Sequence, residues 1–215
     1  MKPILRTLFA AFVIGGTVLG PAAAGATGAV VELESRVTGN RVPWRGGAGD
    51  ALRFQCLWLQ SGIEAAGYVN QIDFYFSSGS VPASFYNCRV LLCHSSNAEL
   101  ESTFADNYTG NTPVEVFNGT MTLDGATWLD IRITPGLFDY NNADNLLMEI
   151  SWDGDSGNNV YCYQCNGAYR RLYNFDSSTA AEGTPQAESQ YIRLHVGTLP
   201  GVAPTSLGRV RALYK

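Results

Sequence analysis

The chain has 215 residues, with 14 basic and 19 acidic side chains; only 15% of residues are charged, 12% are aromatic and 23 are glycine. Lys2 and Lys215 are its only lysines, so there is no lysine-rich patch from which phosphate counterions could be released, and nucleic acid is a poor partner. Many turns, many aromatics and few charges describe a β-rich extracellular protein better than a helical one.

The amino terminus begins with Lys2 and Arg6, runs through an apolar stretch from Thr7 to Leu19, and reaches the small residues Ala22, Ala23, Ala24 and Ala26. This three-part layout predicts a secretory signal peptide over 1–26, too short and wrongly flanked for a spanning helix. Its removal leaves 12 of the 14 basic residues facing 19 acidic ones. No later stretch is long and apolar enough to read as a transmembrane segment, so the expectation is a secreted or cell-surface bacterial protein.

From Ala29 the pattern is one of short strands: Ala29 to Val37, Leu52 to Gln60 and Tyr68 to Ser77, with a helical turn in SGIEAAG between the last two. Tyr86 to His94 follows, predicted to turn Tyr86, Cys88, Val90 and Leu92 inward. Leu100 and Phe104, four residues apart, predict a short helix within 97–107. Val114 to Phe117 and Thr120 to Leu123 read as two arms of a hairpin about Asn118-Gly119, a strong two-residue turn signal.

Trp128 to Ile133 comes next, and then the segment around which the chain is organised, PGLFDYNNADNLLMEISW from Pro135 to Trp152. There Leu146, Met148, Ile150 and Trp152 alternate with Leu147, Glu149 and Ser151, predicting a central strand with one face in the core and one toward solvent. Further strands are expected at Asn159 to Tyr163, Arg170 to Tyr173 and Tyr191 to Val196. About ten strands without a long amphipathic helix predict an all-β antiparallel sandwich or jelly roll over 27–197. The Pro/Gly-rich TLPGVAPTS then leads into a short basic amphipathic tail, LGRVRALYK, within 198–215.

The segments GYVNQIDFYFSSG, YNCRVLLCHSS, TPVEVFNGTMTL, WLDIRITPGLFDYNNADNLLMEISW, RRLYNFDSS and YIRLHV, taken together, resemble the β-sandwich modules of secreted and cell-surface proteins of environmental bacteria. The ending SLGRVRALYK is similar to the short tails that close many exported proteins. The resemblance implies surface work without a catalytic signature.

Cys56, Cys88, Cys93, Cys162 and Cys165 are five cysteines in an expected oxidising setting, an odd number whose pairing the spacing does not choose. A disulfide involving Cys93, Cys162 or Cys165 is expected, whereas Cys56 and Cys88 share the parity of apolar faces and read equally well as small buried hydrophobes. Zinc on Cys93, His94, Cys162 and Cys165 is disfavoured, because adjacent residues of a strand point to opposite faces. For calcium the best candidates are Asp153, Asp155 and Asn158 in DGDSGNN, joined by Asp139 and Asp144 if the two loops meet, although the run departs from an EF-hand loop. Tyr161, Tyr163, Tyr169, Arg170 and Arg171 form the densest aromatic and arginine stretch, suited to a flat ligand such as a sugar.

No G-x-S-x-G is present and no carboxylate sits in an obviously apolar setting, so the chain reads as non-enzymatic. The expected role is adhesion, matrix or surface assembly against an extracellular glycan or protein. The alternatives are a carbohydrate-binding module and a filament or layer subunit that self-assembles by strand addition.

Overall fold

The computed structural model describes residues 28–47, 50–131, 133–134 and 137–197. The expected signal peptide and the basic tail lie outside these residues.

Twelve strands form one continuous antiparallel sheet: β1 Ala29–Leu33, β2 Thr38–Asn40, β3 Ala51–Trp58, β4 Gly67–Gly79, β5 Ala83–Ser95, β6 Val114–Leu123, β7 Trp128–Ile131, β8 Asp139–Tyr140, β9 Asn145–Asp153, β10 Val160–Asn174, β11 Thr184–Gln190 and β12 Ile192–Gly197. A single helical turn, α1 (Gln60–Ile63), follows β3. The main path runs β1-β12-β4-β10-β3-β9-β5-β6, with β7 and β8 also on β4, and β2 and β11 also on β10. β10 joins two limbs: Val160 to Cys162 pair with β4, and Arg171 to Asn174 pair with β3. The predicted all-β antiparallel class is therefore present, in a sheet that is open between β1 and β6.

Both limbs feed one core. Leu52, Phe54, Cys56 and Trp58 of β3 belong to the same buried cluster as Ile72 and Phe74 of β4 and Ile192 and Leu194 of β12. The Trp44 ring lies 5.6 Å from Phe74 and 5.0 Å from Phe85, and Phe85 lies 5.0 Å from Trp152, so aromatic contacts run from β4 to β5 and β9. Two of the three buried indole N–H groups donate to backbone carbonyls, Trp58 to Gln190 and Trp152 to Pro43, while Trp44 Nε1 has no partner among the described residues. Each such buried ring contributes about 2–3 kcal/mol of apolar burial.

β9 is central, between β3 and β5, as its alternation predicts. Its second face is not in water, however. Leu147 packs with Leu57, Cys93, Leu100, Phe104 and Leu172 in a smaller core, and Glu149 and Ser151 are also buried. The segment after β5 covers this face. Leu100 and Phe104 are both buried, as their spacing suggested, but the expected helix is replaced by irregular, bent chain ending in a 3-10 turn, Phe104–Tyr108. The Asn107 side chain explains the difference, because it takes over backbone groups that a helix would use: it accepts from Glu101 N–H and donates to the carbonyls of Glu101 and Thr103.

Three other strand expectations are corrected. Asn118-Gly119 is no turn. β6 runs through it with Gly119 at φ 149°, and both flanks pair with β5 through register shifts, a bulge in place of a hairpin. A second irregularity falls at Asn87, where φ is 48°; it turns Tyr86 outward at 42% exposure and puts Phe85 in the core. Finally, the stretches at 159–163 and 170–173 are two ends of the single strand β10, and β11, which lacks apolar alternation in TPQAESQ, was not foreseen.

Candidate functional site

The residues singled out in sequence fall into several places. Of the tyrosine–arginine stretch on β10, Tyr161 and Tyr163 are half-buried, Tyr169 is exposed, and Arg170 binds Glu34. Arg171 is wholly buried, bound to Glu188, Gln164 and Gln186, so it is no ligand donor. One flat patch does not gather these five residues.

The calcium candidates do not converge. Asp155 accepts from Gly47 N–H and Gly157 N–H, Asp153 accepts from Ser178 Oγ at 2.7 Å, and Asn158 donates to the Pro82 carbonyl. Asp144, which accepts from Asn141, immediately precedes β9, and Asp153 ends it, so a strand length of roughly 30 Å separates them. Asp139 is exposed in β8, on the far side of that same separation. Among the described residues no group of three His, Cys, Asp or Glu side chains could hold a metal.

None of the five cysteines is bridged, which corrects the disulfide expected at Cys93, Cys162 or Cys165. Cys162 and Cys165 stand three residues apart on one strand, roughly 10 Å, beyond the reach of a disulfide. Cys93 is on β5, whose neighbours are β6 and β9, and β10 is not among them. Cys56 and Cys88 are buried as small hydrophobes, and burial pushes both thiols up to about 12. Cys165 Sγ meets Ser189 Oγ at 2.8 Å. Of the histidines, His94 stacks on Phe138 and Tyr140 and accepts from Asn141 N–H, while His195 Nε2 lies 2.8 Å from the buried Asp73 carboxylate.

What strand pairing does bring together is an aromatic–arginine face on the outside of the β4 limb. Ile72 and Phe74 of β4 point into the core, so Tyr75 points the other way. The register sets Trp128 of β7 directly opposite Tyr75, with ring centroids 4.7 Å apart in an edge-to-face arrangement. Tyr163 of β10 reaches Tyr75 at 5.5 Å, and Tyr191, just before β12, lies 5.7 Å from Tyr75 and 5.6 Å from Trp128. Two guanidiniums cover the rings: Arg193 of β12 stands 3.9 Å over Trp128, and Arg36, from the chain after β1, stands 4.7 Å over Tyr75. Cation–π contacts at such solvent-accessible positions are worth about 0.5–1 kcal/mol each.

The two arginines differ in how their N–H groups are used. Arg193 donates to Glu32 at 2.9 Å, and Tyr191 donates its hydroxyl to the same carboxylate. These two bonds, that of Tyr191 first, hold the Glu32 carboxyl below its ordinary value, and burial with the Glu32 bond pushes the Tyr191 hydroxyl up to about 12. Arg36 is exposed, lies over the rings within electrostatic reach of Glu32, and makes no hydrogen bond among the described residues. Trp128 Nε1 and the hydroxyls of Tyr75 and Tyr163 likewise have no hydrogen-bond partner there. Of this face, sequence reasoning had named only Tyr163. Tyr75, Trp128, Tyr191 and Arg193 carried one signal, an aromatic or arginine at the outward parity of a strand, but not which strands are neighbours.

Elsewhere, a concavity of about 480 Å³ is lined by Arg45, Tyr173, Asn174, Phe175, Asp176 and Glu182, among others. Arg45 stacks 4.7 Å over Phe175 and contacts Asp50 at 3.4 Å, so its charge is already shared. No protein-family model matches the chain, and neither a curated protein nor a solved structure is similar to it.

Proposed function

We propose that this chain is a secreted or cell-surface bacterial module that works by binding in adhesion, matrix or surface assembly, without turnover, and that it contacts carbohydrate through the aromatic–arginine face. The observation that carries this reading is the meeting of Tyr75, Trp128, Tyr163 and Tyr191 with Arg36 and Arg193 outside the core. Sugar rings pack their C–H faces on aromatics, and their hydroxyls need donors such as guanidinium, indole and phenol groups in reach. A panel of immobilised polysaccharides tests it. Wild-type protein retained by at least one polysaccharide, with retention lost in Trp128→Ala, is the expected outcome; no retention on any would overturn it.

The jelly-roll-like reading belongs here too, supported by the core that the two limbs share. The tail within 198–215 retains its proposed role in sorting or anchoring. A second reading, assembly by strand addition, is favoured by β1: among the described residues it pairs with β12 alone, only Leu33 of its five residues is buried, and Val30 is 56% exposed. Such an edge strand can leave its own sheet and complete a neighbour's. Light scattering on concentrated protein with and without residues 28–33 distinguishes this from simple binding, since only strand addition makes higher species depend on β1.

A further inference from the structure

Resting on the strand-addition reading, we infer that the partner is a second copy of this chain and that the two copies exchange β1, each filling on the other's β12 the place it fills on its own. The place is specific because consecutive side chains define it. Val31 and Leu33 reach the main core on one side, and Glu32 on the other takes the Tyr191 hydroxyl and Arg193. An unrelated strand on this edge would lack that run. Another copy's β1 brings it in the same register, from Ala29 opposite Val196 to Leu33 opposite Ile192.

The joint after β1 is what lets it go. Residues 34–37 alone connect β1 to β2, and Glu34 bends the chain there at φ 73°, a left-handed conformation that a residue with a Cβ adopts only at a cost. The Glu34 carboxylate latches the bend by binding Arg170 and accepting from Cys165 Sγ. The latch is poorly packed. Arg170 Nε is buried with no acceptor among the described residues, and a concavity of about 220 Å³ opens among Leu33, Glu34, Trp58 and Arg170, with others. Ser35, Arg36 and Val37 are exposed, and β2 is held separately by β10. The bend can therefore straighten while β2 stays in its own sheet, which carries β1 out to a neighbour. Exchange in both directions restores the β1–β12 pairing and removes the left-handed residue from each copy, the condition under which short strained hinges swap.

Light scattering and oxidative cross-linking of the full chain test this. Val30 stands opposite His195, and the five native cysteines are buried, so Val30→Cys and His195→Cys placed in separate copies come into register only by exchange. Wild type is expected to dimerise at high concentration, and the two variants, incubated together and oxidised, to give a disulfide-linked pair of unlike copies. Glu34→Gly and Glu34→Gln both lose the carboxylate latch, but only glycine loses the strain, so dimerisation should be about fivefold or more weaker in Glu34→Gly than in Glu34→Gln. Equal dimerisation of these two variants would overturn the strained joint as the hinge. Dimers or larger species without a link between positions 30 and 195 would overturn the exchange, while strand addition survives if removing residues 28–33 abolishes them. Wild type that stays monomeric at every concentration would remove both.

Discussion

Arg171 and Arg36 are the same side chain in opposite circumstances. Arg171 sits on β10 with its side chain fully out of solvent, and Glu188, Gln164 and Gln186 take its donors. Arg36 lies on the surface, steadied by two rings and bonded to no acceptor among the described residues. Burial lowers the Arg171 guanidinium's pKa, so its charge persists because the surrounding oxygens are in place before and after any ligand comes. The contrast separates two uses of arginine in a sheet. One fastens β10 to β11, and the other keeps its donors in reserve.

The comparison breaks most visibly at Arg171. Replacing it with alanine leaves the half-buried Glu188 with only its Gln164 donor and strands the carbonyls of buried Gln164 and half-buried Gln186, and the expected loss is about 3 kcal/mol of folding stability, read from urea denaturation. A loss below 1 kcal/mol would mean that β11 is not held by this network. Next in size is Glu149→Ala. Glu149 accepts from Arg53 at 3.0 Å, Gln55 at 2.8 Å and Tyr108 at 2.6 Å, and without it the Arg53 charge is stranded under the segment that covers β9. About 2–3 kcal/mol should be lost, with faster amide exchange concentrated in residues 96–111.

At the surface the effects shrink. Arg36→Gln should change stability by no more than about 0.5 kcal/mol, since the side chain is exposed, and a larger loss would show it to be a structural clamp. Smallest of all is the pH response of Glu32. Its folded pKa is lowered, so its contribution is fully present above the ordinary carboxylate value of 4.5 and is lost as pH falls through the lowered folded value. The melting-temperature difference between wild type and Glu32→Gln should therefore shrink toward zero on acidification below that window. A difference that persists in strong acid would show that the Tyr191 and Arg193 bonds do not depend on the charge.

The strands were legible where one face is apolar and the other polar. β3, β4, β7 and β12 follow that pattern, and β9 was found because Leu146, Met148, Ile150 and Trp152 keep period two. What escaped depended on distant chain. Nothing local in Leu147, Glu149 and Ser151 says that residues 96–108 will fold over them, and nothing in TPQAESQ announces a strand whose polar side chains complete a buried arginine's shell. The Asn118-Gly119 signal failed for the same reason: β5 is long enough to pair with both flanks, and pairing outweighs the local turn preference. The aromatic–arginine face was the least legible part, because its rings come from residues 75, 128, 163 and 191, and the registers of β4 with β7, β10 and β12 make them neighbours.

The pairing of β1 with β12 has a consequence for the order in which the chain can fold. Ala29 meets Val196 and Leu33 meets Ile192, so the first described strand has its sole partner almost at the end of the described chain. As the polypeptide emerges from a ribosome or an export channel, β1 stays single for nearly the whole passage, and the Glu32 bonds to Tyr191 and Arg193 wait with it. Central β9 can find β3 and β5 much earlier. The outer face that carries the aromatic rings is thus the last surface to be completed, and a chain halted before Tyr191 would hold most of the core strands while that face lacks Tyr191 and Arg193.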